Sequence, residues 1–386
     1  MSDHTSRLVR SGAARRLALQ RMAVAAAGIG CGIPAFALGR TLRIGSTLDN
    51  SSVEKANGSG LHLGATAYFG ALNKAGGVNG ASVELVLADD QFKPDVAKAN
   101  ALAFEADRSI LGLLHPLGTR QTAAVMDAAP TLALVGPYTG TIGLRKKAAP
   151  NTFWVRANYD QEVDKLVATA VALGTNSIGL VHPNDPFGQS LLAAFKASTA
   201  KFKLTPTVIA TTPNTTSAEV DPAAEQVAKA APQVVIMGLA GTAPLFVRAL
   251  RKAGGSSTVY GLSVTASAGN IRDLGELSRG LGFSIVVPTP FASKYEVVRR
   301  YQADMKASGN ADFSLSSLEG YINARVMAEG LRRAGAAPSR EALLAALETI
   351  DALDLGGLRI GFGKGRHEGS NFVDVAVIGQ GGRMFS

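Results

Sequence analysis

Cysteine is nearly missing: the 386 residues contain one, Cys31. A single thiol excludes an intrachain disulfide framework and a thiolate metal cluster, so the fold must be held by packing. The five histidines, His4, His62, His115, His182 and His367, include no pair at metal-ligand spacing. There is no Gly-x-Ser-x-Gly elbow and no Gly-x-x-x-x-Gly-Lys-Ser/Thr loop, while Gly58-Ser-Gly60 and Gly361-Phe-Gly363 lack the spacing and strand-to-helix setting of a dinucleotide site. Asp89-Asp90 reads as acids that cap a turn rather than as a catalytic pair, and His115 as a structural histidine. With no convergent nucleophile, base and orienter, the chain is expected not to be an enzyme and to need neither cofactor nor metal. No apolar run in the body of the chain reaches the length of a membrane span.

What is present is an ordinary globular composition, 46% hydrophobic and 18% charged, long enough for two domains. Five arginines (Arg7, Arg10, Arg15, Arg16, Arg21) and one acid (Asp3) fall in residues 1–37, which leaves 34 basic against 29 acidic groups beyond them. That balance gives no reason to expect nucleic-acid binding. Residues 1–37 read as an export signal. An Arg-rich opening precedes the apolar run from Met22 to Ala37, which ends in the small-x-small pattern Ala35-Phe36-Ala37. General secretion is expected over the twin-arginine route, for which Arg15-Arg16 is a weak match. Cys31 would leave with the signal; lipidation at Cys31 is the alternative, with Gly28 where leucine is usual.

From Thr41 onward apolar runs alternate with amphipathic stretches. Strands are expected at 41–45, 82–88, 110–114 and 132–135, helices at 64–73, 95–106 and 119–128, and a polar loop at 46–60. Ala67, Tyr68, Ala71 and Leu72 are the expected buried face of the first helix. The rhythm pauses near Pro150 and resumes as a second unit of similar size through Leu262, followed by helices near 293–307, 316–334 and 340–350 and a β-rich tail. This alternation predicts βαβ units, parallel sheets and helices on both faces, an α/β class.

Several strand ends open onto loops of small residues. In Leu111-Gly-Leu-Leu-His-Pro-Leu-Gly-Thr-Arg-Gln-Thr122 a buried strand runs into Gly118, and Thr119 is placed to cap the helix that begins there. Glycine lets backbone approach a ligand and a helix's first-turn amides attract an anion. Gly136-Pro-Tyr-Thr-Gly140 adds a hydroxyl, backbone donors and the Tyr138 ring; Asn158-Tyr159-Asp160 adds a second ring at the start of the second unit. Such loops suit a small-molecule site in a cleft.

With these loops, Ala75-Gly-Gly-Val-Asn-Gly80, Asp89-Asp90, Arg156-Ala-Asn-Tyr-Asp160 with Glu162, Asp185-Pro-Phe-Gly188, Leu262-Ser263 and Ser317-Leu-Glu-Gly-Tyr321, the chain resembles the periplasmic substrate-binding proteins of ABC importers, branched-chain amino-acid type. The resemblance implies two Rossmann-like lobes, 41–157 plus 288–357 and 158–287 plus 358–386, joined by three crossings near 156–158, 286–290 and 356–359, and closing on ligand by a hinge. It implies a periplasmic, monomeric protein that hands a small molecule to an ABC permease; a ligand-sensing receptor of the same fold is the alternative. It places the ligand carboxylate on Gly118, Thr119, Tyr138 and Thr139, counts Gly140 among the ligand-binding residues, and has Tyr159 packing from the second lobe. Ala240 and Ser263 stand where amino-acid binders of the family place an aromatic group and an acid for the ammonium. Ser263 brings no charge, so either Asp160 substitutes or the ligand has no amino group, and a small carboxylate, aromatic ones included, or an atypical amino acid is expected.

Overall fold

The computed structural model describes residues 39–147 and 149–386; the export signal expected at 1–37, with Cys31, lies outside them. Strand β1 (Thr41–Leu48) pairs in parallel with β2 (Ser82–Asp89) on one side and β3 (Ile110–Leu114) on the other. Adding β4 (Ala133–Val135) and β5 (Thr152–Phe153) gives a five-stranded parallel sheet in the order β2-β1-β3-β4-β5. Helices α1 (Lys55–Lys74), α2 (Pro94–Ala106) and α3 (Thr119–Ala128) and the single turn α4 (Ile142–Arg145) connect the strands. Because the strands are parallel, the loops at their carboxyl ends all emerge at one edge.

The second sheet begins after α5 (Tyr159–Ala172) with β6 (Ile178–Pro183), then β7 (Val208–Thr212), β8 (Val234–Met237), β9 (Thr258–Gly261) and β10 (Gly282–Ile285). Between them run α6 (Pro186–Lys201), α7 (Asp221–Ala230), α8 (Ala243–Lys252) and α9 (Ala268–Leu274). The chain then returns to the first sheet as α10 (Glu296–Ala307), α11 (Leu315–Arg333) and α12 (Arg340–Glu348), makes the small hairpin β11 (Leu353–Asp354) and β12 (Arg359–Ile360), and ends in β13 (Asp374–Ile378) and β14 (Met384–Phe385). The second sheet runs β14-β13-β10-β9-β8-β6-β7, with β13 alone running against the others and pairing antiparallel with β10 and β14. The molecule is thus an α/β protein of two lobes. Among the described residues no helix is long and apolar enough to cross a membrane.

Three segments join the lobes. The first is 154–158, between β5 and α5, and the second is 286–295, between β10 and α10. The third comes later than the expected 356–359. His367 still belongs with the first lobe, because its Nδ1 bonds Thr152 O of β5 (3.1 Å) and its Nε2 lies 2.9 Å from Glu348 Oε1 of α12.

Helix α1 also departs from expectation, starting at Lys55 inside the stretch read as loop. Its Gly and Ser residues have poor helix propensity, but they allow close approach to neighbouring backbone. A Cβ on Gly58 would lie 1.7 Å from Asp49 O, and one on Gly64 would lie 1.7 Å from Ser317 O in α11. The buried face is accordingly Leu61, Ala65 and Phe69, with Ala67; Tyr68, Ala71 and Leu72 are only half-buried. Gly64→Ala is expected to separate α1 from α11 and cost about 1–3 kcal/mol. Gly70→Ala, on the open side of the same helix with nothing within 4 Å, is expected to be neutral or to stabilise by up to about 1 kcal/mol. Thermal unfolding of the two variants measures the contrast.

Candidate functional site

Loops of both lobes meet around a cavity of about 170 Å³. The loop after β1 is wound by Asp49, whose Oδ1 accepts the N–H groups of Ser51 (3.1 Å) and Ser52 (2.7 Å) and whose Oδ2 accepts that of Glu54 (2.7 Å). This winding turns Glu54 inward, where it lines the cavity at 3% exposure. Its Oε2 accepts from Asn57 Nδ2 (2.9 Å) and its Oε1 from the N–H of Gly241 (2.6 Å), on the loop after β8 in the other lobe. Asn57 Nδ2 also donates across to Val264 O (3.0 Å), and Tyr138 Oη donates to Asn57 Oδ1 (3.3 Å). Burial pushes the Glu54 carboxyl up to about 7, against the pull of its two hydrogen bonds.

Strand β2 ends at Asp89 and Asp90 follows it, and these acids do cap a turn. Asp89 Oδ1 accepts the Gln91 N–H (3.0 Å) and Asp90 Oδ1 the Phe92 N–H (2.9 Å), holding Gln91 and Phe92 at φ of 54° and 57°. The left-handed turn presents Phe92 to the cavity, and Gln121 Nε2 clamps its carbonyl at 2.6 Å. At the end of β3, Gly118 has φ 97°, and a Cβ there would come within 2.8 Å of the Phe92 ring.

The cap expected from Thr119 does not form. Gly118 is the N-cap of α3 and Thr119 its first residue, with Thr119 Oγ1 drawn instead to Thr139 Oγ1 and Thr141 Oγ1, each at 2.9 Å. The first-turn amides of Thr119, Arg120 and Gln121 therefore have no helical carbonyl and no side-chain cap. All three residues line the cavity, with the exposed Arg120 and Lys93 at its rim. An anionic group placed there would meet free amides, the positive end of α3 and a guanidinium. The rest of the wall combines Pro94, Leu117, Tyr138, Tyr159, Phe187 and Val264, with Ala240 beside Gly241, and the polar Asp95, Asp185, Asn214, Thr215 and Thr216. The Tyr159 and Phe187 rings meet at 5.3 Å and 62°.

Of the nine residues singled out in the sequence, Gly118, Thr119, Tyr138, Tyr159 and Ala240 line this cavity. Thr139 is fully buried behind it in the threonine cluster. Gly140 lies under Tyr159: its carbonyl accepts the Tyr159 N–H (2.9 Å), and a Cβ would sit 2.6 Å from the ring. Asp160 is exposed on the outside of α5 and away from the cavity, so it offers no counter-charge there. Ser263 is buried in a different cluster, bonded to Arg156 and donating its N–H to Glu162 Oε2 (2.9 Å). Glu54, Phe92 and Gln121 went unread. The signal for Glu54 was an Asp-Asn-Ser-Ser run at a strand end, a composition that winds an Asx turn and points the next side chains inward.

Behind Tyr138 lies the hinge charge cluster. Arg156 is fully buried, its guanidinium 4.6 Å from the Tyr138 ring centre, 3.4 Å from Glu162 of the second lobe and 3.6 Å from Glu319 of the first. Glu162 is further held by Ser284 Oγ at 2.7 Å. His115, at φ 37°, is buried with neither ring nitrogen hydrogen-bonded, and burial lowers its pKa to about 3.

A family profile described as "Periplasmic binding protein" matches residues 41–383. Among solved structures, a substrate-binding periplasmic protein from Ralstonia solanacearum is 30% identical with a TM-score of 0.83, over 89% of this chain and 99% of that one. An extracellular ligand-binding receptor from Verminephrobacter eiseniae is 27% identical with a TM-score of 0.82, over 90% and 100%. An "Amino acid binding protein" of Pseudomonas aeruginosa is 29% identical over 163 residues, an alignment spanning 37% of this chain and 42% of that relative. With two βαβ lobes, three crossings and a cleft cavity between them, the chain belongs to the periplasmic binding protein family in its type I fold.

Proposed function

We propose that this protein is an extracytoplasmic solute-binding protein that captures a small carboxylate or amino-acid-like ligand and delivers it to an ABC permease. The observation that carries the reading is the cavity itself. At one end are three uncapped amides of α3 with Gly118 and Arg120; the rest joins aromatic and aliphatic wall from both lobes to polar residues that include Asp185, Asn214, Thr215 and Thr216. A carboxylate is the anionic group that fits amides without demanding the multiple cations of a phosphate site, and an apolar body fills the remainder. At about 170 Å³ the space suits a body the size of a leucine side chain or a benzene ring, since a cavity of roughly 150 Å³ holds benzene. Closure acts through Glu54 to Gly241 and Asn57 to Val264, hydrogen bonds that opening the lobes would break.

A thermal-shift and calorimetric series of aliphatic and aromatic monocarboxylates, with the matching amides as controls, tests the reading, because a ligand that binds only the folded state raises the melting temperature. Acids are expected to shift the protein and neutral amides not; shifts by amides equal to those of the acids would remove the carboxylate from the reading. Gly118→Ala, which combines strain at φ 97° with a Cβ 2.5 Å from Gln121 Oε1, is expected to weaken binding about tenfold or more while costing about 1–3 kcal/mol of stability.

A further inference from the structure

Away from the cleft, beside the first crossing and the approach to the third, lies another cavity of about 570 Å³, which shares no lining residue with the first. Its wall includes Arg145, Thr152 and Trp154 of the first lobe, Glu348 of α12, and Arg366 and Glu368 from the stretch that leads to the third crossing. Two buried polar atoms of these residues have no hydrogen-bond partner, Arg145 Nε and Thr152 Oγ1. Neither belongs to a solvated surface group, since the Arg145 side chain is 2% exposed and Thr152 1%. The rest of the Arg145 guanidinium is committed. Its Nη2 donates to Arg156 O (3.0 Å) and Ala157 O (3.1 Å) of the first crossing, its Nη1 donates to Glu368 Oε2 (3.2 Å), and it stands 4.9 Å from the centre of the Trp154 ring. Buried donors without partners are costly, and an acceptor bound in the cavity is what these two groups lack.

Charge decides between water and an ion as that acceptor. On the same wall, Glu348 is engaged by His367 Nε2 at 2.9 Å, and Lys147 is paired at 2.9 Å with Asp127, which is not part of the wall. Arg366 bonds only carbonyls, Gly361 O (3.1 Å) and Phe362 O (3.0 Å), and forms no ion pair among the described residues. Two guanidinium groups are therefore left with one carboxylate, Glu368, which is 49% exposed and holds Arg145 by one hydrogen bond. Burial lowers the Arg145 pKa to about 10 although Glu368 opposes the shift, so the buried cation is short of counter-charge. Water would satisfy the hydrogen bonds but not the excess positive charge. An oxyanion does both.

We propose that this cavity is an anion site separate from the ligand cleft, taking a small oxyanion such as sulfate or phosphate on Arg145, Thr152 and Arg366, with Glu368 as the built-in competitor that the ion displaces. The proposal does not depend on what the cleft binds. Because Arg145 holds two carbonyls of the first crossing and Glu368 lies on the way to the third, the ion changes which group ties the two crossings together.

Trp154 is the only tryptophan of the chain and stands in this wall and not in that of the cleft, so its fluorescence reports directly on the site. The purified protein is titrated with sodium sulfate and with sodium phosphate, each against sodium chloride at matched ionic strength. The oxyanions are expected to give a saturable change in Trp154 emission, half-complete on the order of 1 mM, and chloride none of comparable size. Arg145→Gln should abolish the saturable change. Arg366→Gln should weaken the affinity about three- to tenfold, and Glu368→Gln, which removes the competitor, should tighten it about three- to tenfold. Arg366 and Glu368 are exposed, so these two variants decide the matter even where Arg145→Gln does not fold. Equal responses to chloride and oxyanion would mean charge screening and would overturn the proposal, as would no response at all. A saturable response that survives in Arg145→Gln, or a Glu368→Gln variant that binds no more tightly than wild type, would overturn it too.

Discussion

Arg156→Leu is expected to lower the stability of the protein by about 3–5 kcal/mol, the cost typical of removing one member of a buried charge group. Burial alone would lower the Arg156 pKa, but the carboxylates of Glu319 and Glu162 more than offset this and hold it above its ordinary value. Without the guanidinium, Glu162 would be left with only the neutral donors Ser263 N–H and Ser284 Oγ. Glu319, which burial pushes up to about 7 against the pull of Arg156, would be pushed further up once the guanidinium is gone. The loss extends to the ligand cavity, because the Tyr138 ring rests on the guanidinium at 4.6 Å. Arg156→Lys is expected to recover less than half of the loss, since one ammonium cannot stack on Tyr138 and reach carboxylates on two sides. Urea unfolding followed by circular dichroism measures both variants. A loss below about 1 kcal/mol for Arg156→Leu would show that the cluster is not what holds the hinge.

Asp90→Asn is expected to stabilise the protein at pH 8 by about 2–4 kcal/mol and to have almost no effect at pH 4. Burial pushes the Asp90 carboxyl from 3.8 up to about 7, with further upward pressure from Asp49 and Asp89 and opposition from the Phe92 N–H and Thr47 hydroxyl bonds. Between those two pH values the folded protein holds a proton that the unfolded chain does not, so this group's contribution to stability falls as pH rises. At about 1.36 kcal/mol per pH unit the gap amounts to at most about 4 kcal/mol. Asparagine removes the titration yet keeps the turn: its Oδ1 accepts from Phe92 N–H, and its Nδ2 donates to Thr47 Oγ1 where Thr47 now donates to Asp90 at 3.2 Å. Variant and wild type must be compared at each pH. Wild type alone mixes signs, because His115, held neutral by burial down to about 3, destabilises the fold as pH falls below its unfolded value near 6.5. Denaturant midpoints at pH 8 and pH 4 supply the test; a constant difference at both would refute the titration argument.

The alternation of apolar runs and amphipathic stretches carried the architecture. Strands such as 110–114 and helices such as 119–128 were legible to the residue, because each is a local pattern bounded by a local break. The start of α1 was not legible, since its glycines suit the helix only through the backbone they touch, Asp49 O and Ser317 O, which lies outside the helix itself. The wall of the cavity was legible where small residues end a strand, as at Gly118 and Tyr138, and illegible where a side chain arrives from a neighbouring strand's loop, as with Phe92 and Glu54. Thr119 shows the limit of capping rules: the residue type was right for a cap, but two other threonines, from the loop after β4, compete for its hydroxyl.

The return of the chain to each lobe fixes an order of events on the ribosome. The first sheet is complete at Phe153, but its covering helices α11 and α12 end only at Glu348, and the second sheet lacks β13 until Ile378. At about 5–20 residues per second of synthesis, the first sheet waits on the order of ten seconds or more for the helices that bury it. Neither lobe can therefore close its core on a partial nascent chain. Throughout most of its synthesis the polypeptide stays open to holding chaperones and able to be threaded, and it becomes a folded object only when nearly all of it has been made.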